Sequence, residues 1–305
     1  MAAIFAAVAS CSKPDTGGGR VAPTPTPTPS TVSVSGVTLD KTEITLTVGK
    51  TFSIANGGRY LPLSHGVTGV SVAVKARKFV LENGAVVSAN GLGYFGGLGG
   101  SGTPMPGQTK YGFGPGSGLG LEIAEGSVDT PYAYIGPCHG GFGAGIRDPN
   151  GIYDDKNMPH MPGSGSSYGP GPGGTGGGVI FIEVSGRAII AGQMSAQGNN
   201  LADLPSSSGA GGSICLKAGG LSLASTARMV AKGCDGNGSG GGGGGRIAVW
   251  RRYDMAGSEV TTEEDFVGTV ASVAAGKSDY FKTYLATEGT AVFGKCSHGL
   301  LISIR

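Results

Sequence analysis

The residues best suited to chemistry lie in one short stretch, Tyr153 to His160, which contains two adjacent carboxylates and an imidazole. Asp154, Asp155 and His160 could together hold a cation or act as a general acid and base. The alternative is a polar loop whose side chains bond to its own backbone. C-x₂-C zinc spacing, a nucleophile elbow between strand and helix, and a phosphate-binding Lys after the glycine runs are all missing. We therefore assign no catalytic residue, no metal identity and no cofactor.

Aromatic side chains form the second candidate group. They gather in the glycine-rich segment 91–178, where glycine loops would let rings offer contact area to a glycan or a protein surface. The candidate ligand contacts are Tyr94, Phe95, Tyr111, Phe113, Tyr132, Tyr134, Tyr153 and Tyr168. The alternative is that these rings cover the strands as a lid and replace part of a core.

The first eleven residues indicate where in the cell the protein is located. Small and apolar residues run from Met1 to Ser10 and end at Cys11. The run is too short to span a bilayer, but it has the character of a secretory signal. Its end, Val-Ala-Ser-Cys, resembles the lipobox of bacterial lipoproteins, which implies export, lipidation of Cys11 and anchoring on the outer surface of the cell envelope. The alternative is a buried cysteine that follows a run of alanines.

Two further segments precede the main repeat. Residues 12–30 include alternating Thr-Pro, which favours extended polyproline II and predicts a stalk or an interdomain linker. Within residues 31–78, apolar and polar residues alternate from Val32 to Ile54, the pattern of half-buried strands. The sequence VTLDKTEITLTVGKT resembles the N-terminal part of bacterial immunoglobulin-like domains. This resemblance implies a short Ig-like β segment packed against the next domain.

A repeat of 33 to 34 residues organises residues 79–305. A glycine pair followed by an apolar strand begins at Gly177, Gly211 and Gly244, and a period of this length indicates stacked supersecondary units. We expect an all-β fold, a β-solenoid or β-helix-like stack of short strands with long glycine-rich loops. The residues expected to face one interior are Ile180, Ile182, Ile214, Leu216, Ile247 and Val249.

Glycines within the insertion 91–178 recur at every third position, at Gly93, Gly96, Gly99 and Gly102. Polyglycine and polyproline helices have three residues per turn, so this spacing suits a packed helix of that kind. A flexible loop is the alternative.

The cysteines other than Cys11 are Cys138, Cys215, Cys234 and Cys296, an even number. Cys215 lies in a strand, and Cys234 follows the next strand, so neighbouring chain segments could bring the two together. A disulfide between Cys215 and Cys234 is one expectation, and buried free thiols are the other.

The repeat and its glycine runs resemble a class of glycine-rich bacterial cell-surface proteins built as β-solenoids, which implies an architecture and a surface location but no activity. Only 14% of residues are charged and the net charge is +2, which argues against nucleic-acid binding. We expect a non-enzymatic surface lipoprotein: an adhesin, a glycan binder or an envelope structural protein, with a cell-surface glycan or protein as partner and membrane contact through the lipid only. The alternative is a lyase or hydrolase that acts on polysaccharides.

Overall fold

A computed structural model describes residues 44–97, 112–117, 135–167, 172–200, 208–279 and 281–296. Eleven strands in these residues form two sheets, and every strand pairs with its neighbours in parallel. The larger sheet has the order β1 (Ile44–Ile54), β3 (Val72–Leu81), β5 (Val179–Ile190), β7 (Ser213–Leu223), β9 (Arg246–Asp254) and β11 (Thr290–Lys295). The smaller sheet has the order β10 (Ala271–Ser272), β8 (Arg228–Val230), β6 (Gln193–Ser195), β4 (Val86–Ser88) and β2 (Arg59–Tyr60).

The repeat read from the sequence sets the register of the larger sheet. Ile180 of β5 pairs with Ile214 of β7, which pairs with Ile247 of β9. Side chains two apart on a strand share a face. Each of these three strands therefore directs two apolar side chains at equivalent positions toward the smaller sheet.

One apolar core contains side chains of both sheets. Met194 and Met229 come from the smaller sheet, and all six residues expected to face one interior come from the larger sheet. This part of the prediction is confirmed. Aromatic rings lie toward both edges: Phe52 stacks on Phe79 at a centroid distance of 5.4 Å, and Phe266 stacks on Phe293 at 4.7 Å.

Helical structure is scarce in the described residues. A 3₁₀ turn covers Pro149–Gly151. A single α-helical turn, α1 (Glu263–Asp265), is capped by the Thr262 hydroxyl and continues as a π-helical stretch over Phe266–Val270. Phe266 and Val270 are both buried, so this segment packs its apolar side against the core.

The predicted fold class is wrong. The described residues do not form an all-β solenoid of short strands behind an Ig-like segment. They form two all-parallel sheets, the sheet layout of α/β proteins, with few helices. Five strands of the larger sheet are 9 to 12 residues long. In the segment expected to be Ig-like, β1 is a parallel edge strand, and the boundary drawn after residue 78 falls inside β3.

A second packed region is built from glycine-rich backbone. We call it the glycine layer: residues 91–97, 112–117, 135–145, 162–167, 172–178, 208–212 and 239–245, none of which belongs to a named strand or helix. Its segments bond to one another through their backbones. The Gly163 amide donates to Gly177 at 2.8 Å, Gly177 donates to Ala210 at 2.9 Å, and Gly211 donates to Gly243 at 2.9 Å.

Close approach explains why these positions are glycine. A Cβ atom on Gly176 would overlap the carbonyl oxygen of Gly163, and a Cβ atom on Gly93 would overlap that of Gly177. Gly93 and Gly96, two of the glycines spaced three apart, therefore lie in packed backbone, whereas Gly99 and Gly102 lie outside the described residues.

Candidate functional site

The candidate acid-base residues lie in a loop that connects two segments of the glycine layer and packs against the larger sheet. We call residues 147–161 the joint loop. Two outward-facing side chains of β9 hold it: Arg246 Nε donates to the Tyr153 carbonyl at 2.9 Å, and Trp250 Nε1 donates to the Asn157 carbonyl at 2.6 Å. The loop begins in a turn in which the Asp148 carboxylate accepts from the Asn150 amide.

Asp154 organises the joint loop. Its φ of +69° makes it the one non-glycine residue with positive φ in the described part of the chain, a conformation that Asp tolerates better than most residues. Its side chain is fully buried. One carboxylate oxygen accepts from the amides of His160 at 2.9 Å and Met161 at 3.0 Å, and from the Ser213 hydroxyl at 3.2 Å.

Two imidazoles face this carboxylate from opposite environments. His160, which is half exposed, has Nδ1 3.0 Å from Asp154 Oδ1. His139 is fully buried, and its Nδ1 lies 2.7 Å from the Gly211 carbonyl, so we assign the proton to that nitrogen. The other nitrogen, Nε2, lies 3.5 Å from Asp154 Oδ2 and makes no hydrogen bond.

The electrostatics of the cluster keep Asp154 ionised. Burial by itself raises the pKa of a carboxyl group, but the hydrogen bonds from His160 and from the Met161 amide outweigh it and hold the pKa of Asp154 well below its ordinary value. Burial raises the pKa of Tyr153 well above its ordinary value, and the Tyr153 hydroxyl donates to the Pro162 carbonyl at 2.6 Å. Neither group is poised to exchange protons near neutral pH.

The geometry does not match a catalytic or cation site. Of the two imidazoles, only His160 lies within hydrogen-bond distance of the carboxylate, whereas His139 faces it from the buried side without bonding to it. Asp155 is exposed, and its carboxylate accepts from the Asn157 amide. Within the described ranges, no group of three or more His, Cys, Asp or Glu is arranged to hold a metal ion. Asp154, Asp155 and His160 lie close together, but their hydrogen bonds stabilise the joint loop itself.

The aromatic candidates separate into different environments. Tyr94 is buried against Gly69 and Gly114, and Phe113 is half-buried. Phe95 is 43% exposed, with its ring against Gly66. The half-buried Tyr153 packs against the His139 ring at a centroid distance of 4.7 Å. Tyr111, Tyr132, Tyr134 and Tyr168 lie outside the described residues.

The four cysteines of the described residues, Cys138, Cys215, Cys234 and Cys296, are free thiols. Cys215 alternates with core residues along β7 and so lies on the outer face of the larger sheet, whereas Cys234 lies in the loop that follows β8 of the smaller sheet. The disulfide between Cys215 and Cys234 is therefore not formed. Burial raises the pKa of both Cys138 and Cys215 to about 12, so neither is a ready thiolate.

Sequence reasoning missed three residues that contact the joint loop: Ser213, Arg246 and Trp250. Each reaches the loop from a distant part of the chain, so no local spacing relates them to it. His139, in contrast, lies only 15 residues before Asp154. The sequence did offer one signal, namely polar or charged residues on the outer face of the apolar strands β7 and β9. Such residues need hydrogen-bonding partners, which indicates that another segment packs on this face.

Cys11, the stalk and residues 31–43 lie outside the described residues. In the portion that is described, no helix has both the length and the apolar character needed to cross a membrane. Comparison of the chain with protein-family models, with curated proteins and with solved structures found no match.

Proposed function

We propose that this protein is a non-enzymatic lipoprotein of the bacterial cell surface that acts by adhesion, by glycan binding or as a structural part of the envelope. The observation that carries the proposal is the burial of the Asp154 and His139 side chains. A general acid or base must reach the proton that it transfers, but the Asp154 and His139 side chains are fully buried and engaged with the joint loop and the glycine layer.

The rigidity of the glycine layer supports a structural or binding role. Its backbone groups bond to one another across segments that are distant in sequence. Loops supported in this way can present side chains at fixed positions, which lowers the entropy lost on binding. Phe95 is the clearest example, because its exposed ring lies against Gly66 while its backbone amide donates to the Gly66 carbonyl at 2.8 Å.

The proposed location at the cell surface depends on the lipobox-like sequence that ends at Cys11. We expect the full chain, expressed in a bacterium, to partition into the membrane fraction. Cys11→Ser should release it into the soluble fraction, and Cys215→Ser is the matched control that should leave partitioning unchanged. An intact mass that includes an unmodified segment 1–10 on the mature protein would contradict lipidation.

Binding is tested on an array of neutral glycans. We expect Phe95→Ala to lose most of the binding of the parent, because an exposed aromatic ring supplies contact area at low side-chain entropy cost. Leu285→Ala, which removes another exposed apolar side chain, is the control. Contacts of this kind should persist at about 0.5 M salt, where the Debye length falls to about 4 Å. Polysaccharide cleavage that disappears in Asp154→Asn would overturn the non-enzymatic assignment.

A further inference from the structure

The larger sheet bends along one line, and basic side chains lie at the bend. The register shifts between Ala76 and Lys78 on β3 and between Val184 and Arg187 on β5. Ala76 and Phe79 belong to the core, yet both residues between them, Arg77 and Lys78, are exposed. Successive residues of a regular strand point to opposite faces, so two exposed neighbours place a convex corner here.

The exposed side chains of this corner stand in register. Lys78 pairs with Arg187, Arg187 pairs with Gly220, and Gly220 pairs with Tyr253. Neighbouring strands are about 4.8 Å apart, so this row is about 14 Å long. Arg77 and Arg252 each precede a member of the row by one residue. We call Arg77, Lys78, Arg187, Arg252 and Tyr253 the corner ridge; all five are exposed.

The four cations of the corner ridge have no ion-pair partner among the described residues. The carboxylates of neighbouring positions are already engaged. Glu183 pairs with Lys75 at 3.8 Å, and Asp254 pairs with Arg251 at 2.7 Å and with Lys295 at 2.9 Å. The ridge is therefore a line of uncompensated positive charge on a protein whose net charge is only +2.

An aromatic ring ends the row. The Tyr253 side chain is 50% exposed and lies against Gly220, where a Cβ atom would stand 2.7 Å from the ring. Because Gly220 carries no side chain, the Tyr253 ring lies directly over this residue, which is on the strand next to the one that carries Arg187. The ridge thus combines guanidinium groups, which match the geometry of carboxylates, with a ring surface open on one side.

We infer that the corner ridge binds a linear polysaccharide whose sugars carry carboxylates. The inference rests on the proposed function and adds a ligand class to it. Lys78 and Arg187 stand on adjacent strands, and Arg77 and Arg252 flank the row, so several carboxylates of one polymer chain can each find a cation. The Tyr253 ring is suited to the apolar face of one sugar. The five residues of the ridge include no aliphatic side chain that could enter a membrane.

The test measures binding of the full chain to polygalacturonate and to the same polymer fully methyl-esterified. At about 50 mM salt the parent should bind the acidic polymer and not the ester. The double variant Lys78→Gln/Arg187→Gln should bind about tenfold more weakly, since two surface ion pairs are lost. The control Arg59→Gln/Lys282→Gln removes the same charge from exposed positions on other elements and should bind as the parent does.

Tyr253 separates a glycan site from a general anion patch. Tyr253→Ala should weaken binding several-fold, whereas Tyr253→Phe, which keeps the ring, should not. Equal binding by the parent and the ridge double variant, or equal loss in the control double, would overturn the inference. So would Tyr253→Ala that binds like the parent, or single-stranded DNA or anionic vesicles bound as tightly as polygalacturonate.

The two proposals fail in different ways. If a neutral glycan binds through Phe95 while the ridge variants change nothing, the corner ridge is not the site and the proposed function stands. If the parent remains in the soluble cytoplasmic fraction and cleaves polygalacturonate, the proposed function itself is wrong, whatever the ridge variants do.

Discussion

The apolar core and the glycine layer are packed by opposite means. In the core, side chains such as Leu216 and Met229 fill the space between two sheets. In the glycine layer, backbone lies directly on backbone, and Gly176 and Gly209 have carbonyl groups where a Cβ atom would be. A core side chain can adopt another rotamer when its neighbour changes. A carbonyl oxygen moves only if its whole chain segment moves, so the layer should tolerate substitution less than its lack of side chains suggests.

The largest effect should come from a charge placed in the core. Ile214→Asp removes a fully buried side chain and leaves an unpaired carboxylate among apolar groups. We expect a loss of about 4–5 kcal/mol or failure to fold. Ile214→Val is the control and should cost about 1 kcal/mol. Chemical denaturation followed by circular dichroism measures both, and an unchanged midpoint for Ile214→Asp would contradict the core.

The second effect tests the glycine layer. In Gly176→Ala a single added methyl group meets the backbone of Gly163. We expect a loss of about 3 kcal/mol, the upper range for overpacking, because backbone cannot rotate away.

Gly268 provides the matched control, since it has negative φ and open space where a Cβ atom would be. Gly268→Ala should be neutral or stabilise the protein by up to about 1 kcal/mol, by reducing the freedom of the unfolded chain. Equal stability of the two alanine variants would show that the glycine layer is as adaptable as an ordinary loop.

The smallest effect concerns the joint loop, which contacts the glycine layer and the outer face of the larger sheet. Asp154→Asn keeps a residue that accepts positive φ but removes the buried charge, and we expect a loss of about 1–3 kcal/mol at neutral pH. The folded pKa of Asp154 is lowered, so its contribution is fully present above the unfolded pKa of about 4 and is lost as pH falls toward the folded value.

Melting temperatures of the parent and of Asp154→Asn should therefore converge as the pH is lowered from about 4 to about 2. Asp155→Asn, which alters an exposed neighbour, is the control and should differ little from the parent at every pH. A gap between the parent and Asp154→Asn that stays constant over this range would contradict an ionised, buried Asp154.

The sequence predicted local features well and long-range ones poorly. The repeat that begins at Gly177, Gly211 and Gly244 located three strands and their core residues, because period and alternation are local properties. The Ig-like interpretation was wrong because alternation in residues 44–54 does not say which strand pairs with β1 or in which direction. The Asp154 cluster was only partly predicted, since Ser213 reaches Asp154 through the fold from 59 residues away.

Trp250, the single tryptophan of the chain, gives the joint loop its own optical signal. Its indole nitrogen donates to the Asn157 carbonyl, and its ring lies against Gly294 of β11. The emission of an indole depends on its hydrogen bonds and on its exposure to water. Detachment of the loop from β9 would therefore shift the fluorescence of the protein even while both sheets stay intact, so fluorescence and circular dichroism together can separate loop release from global unfolding.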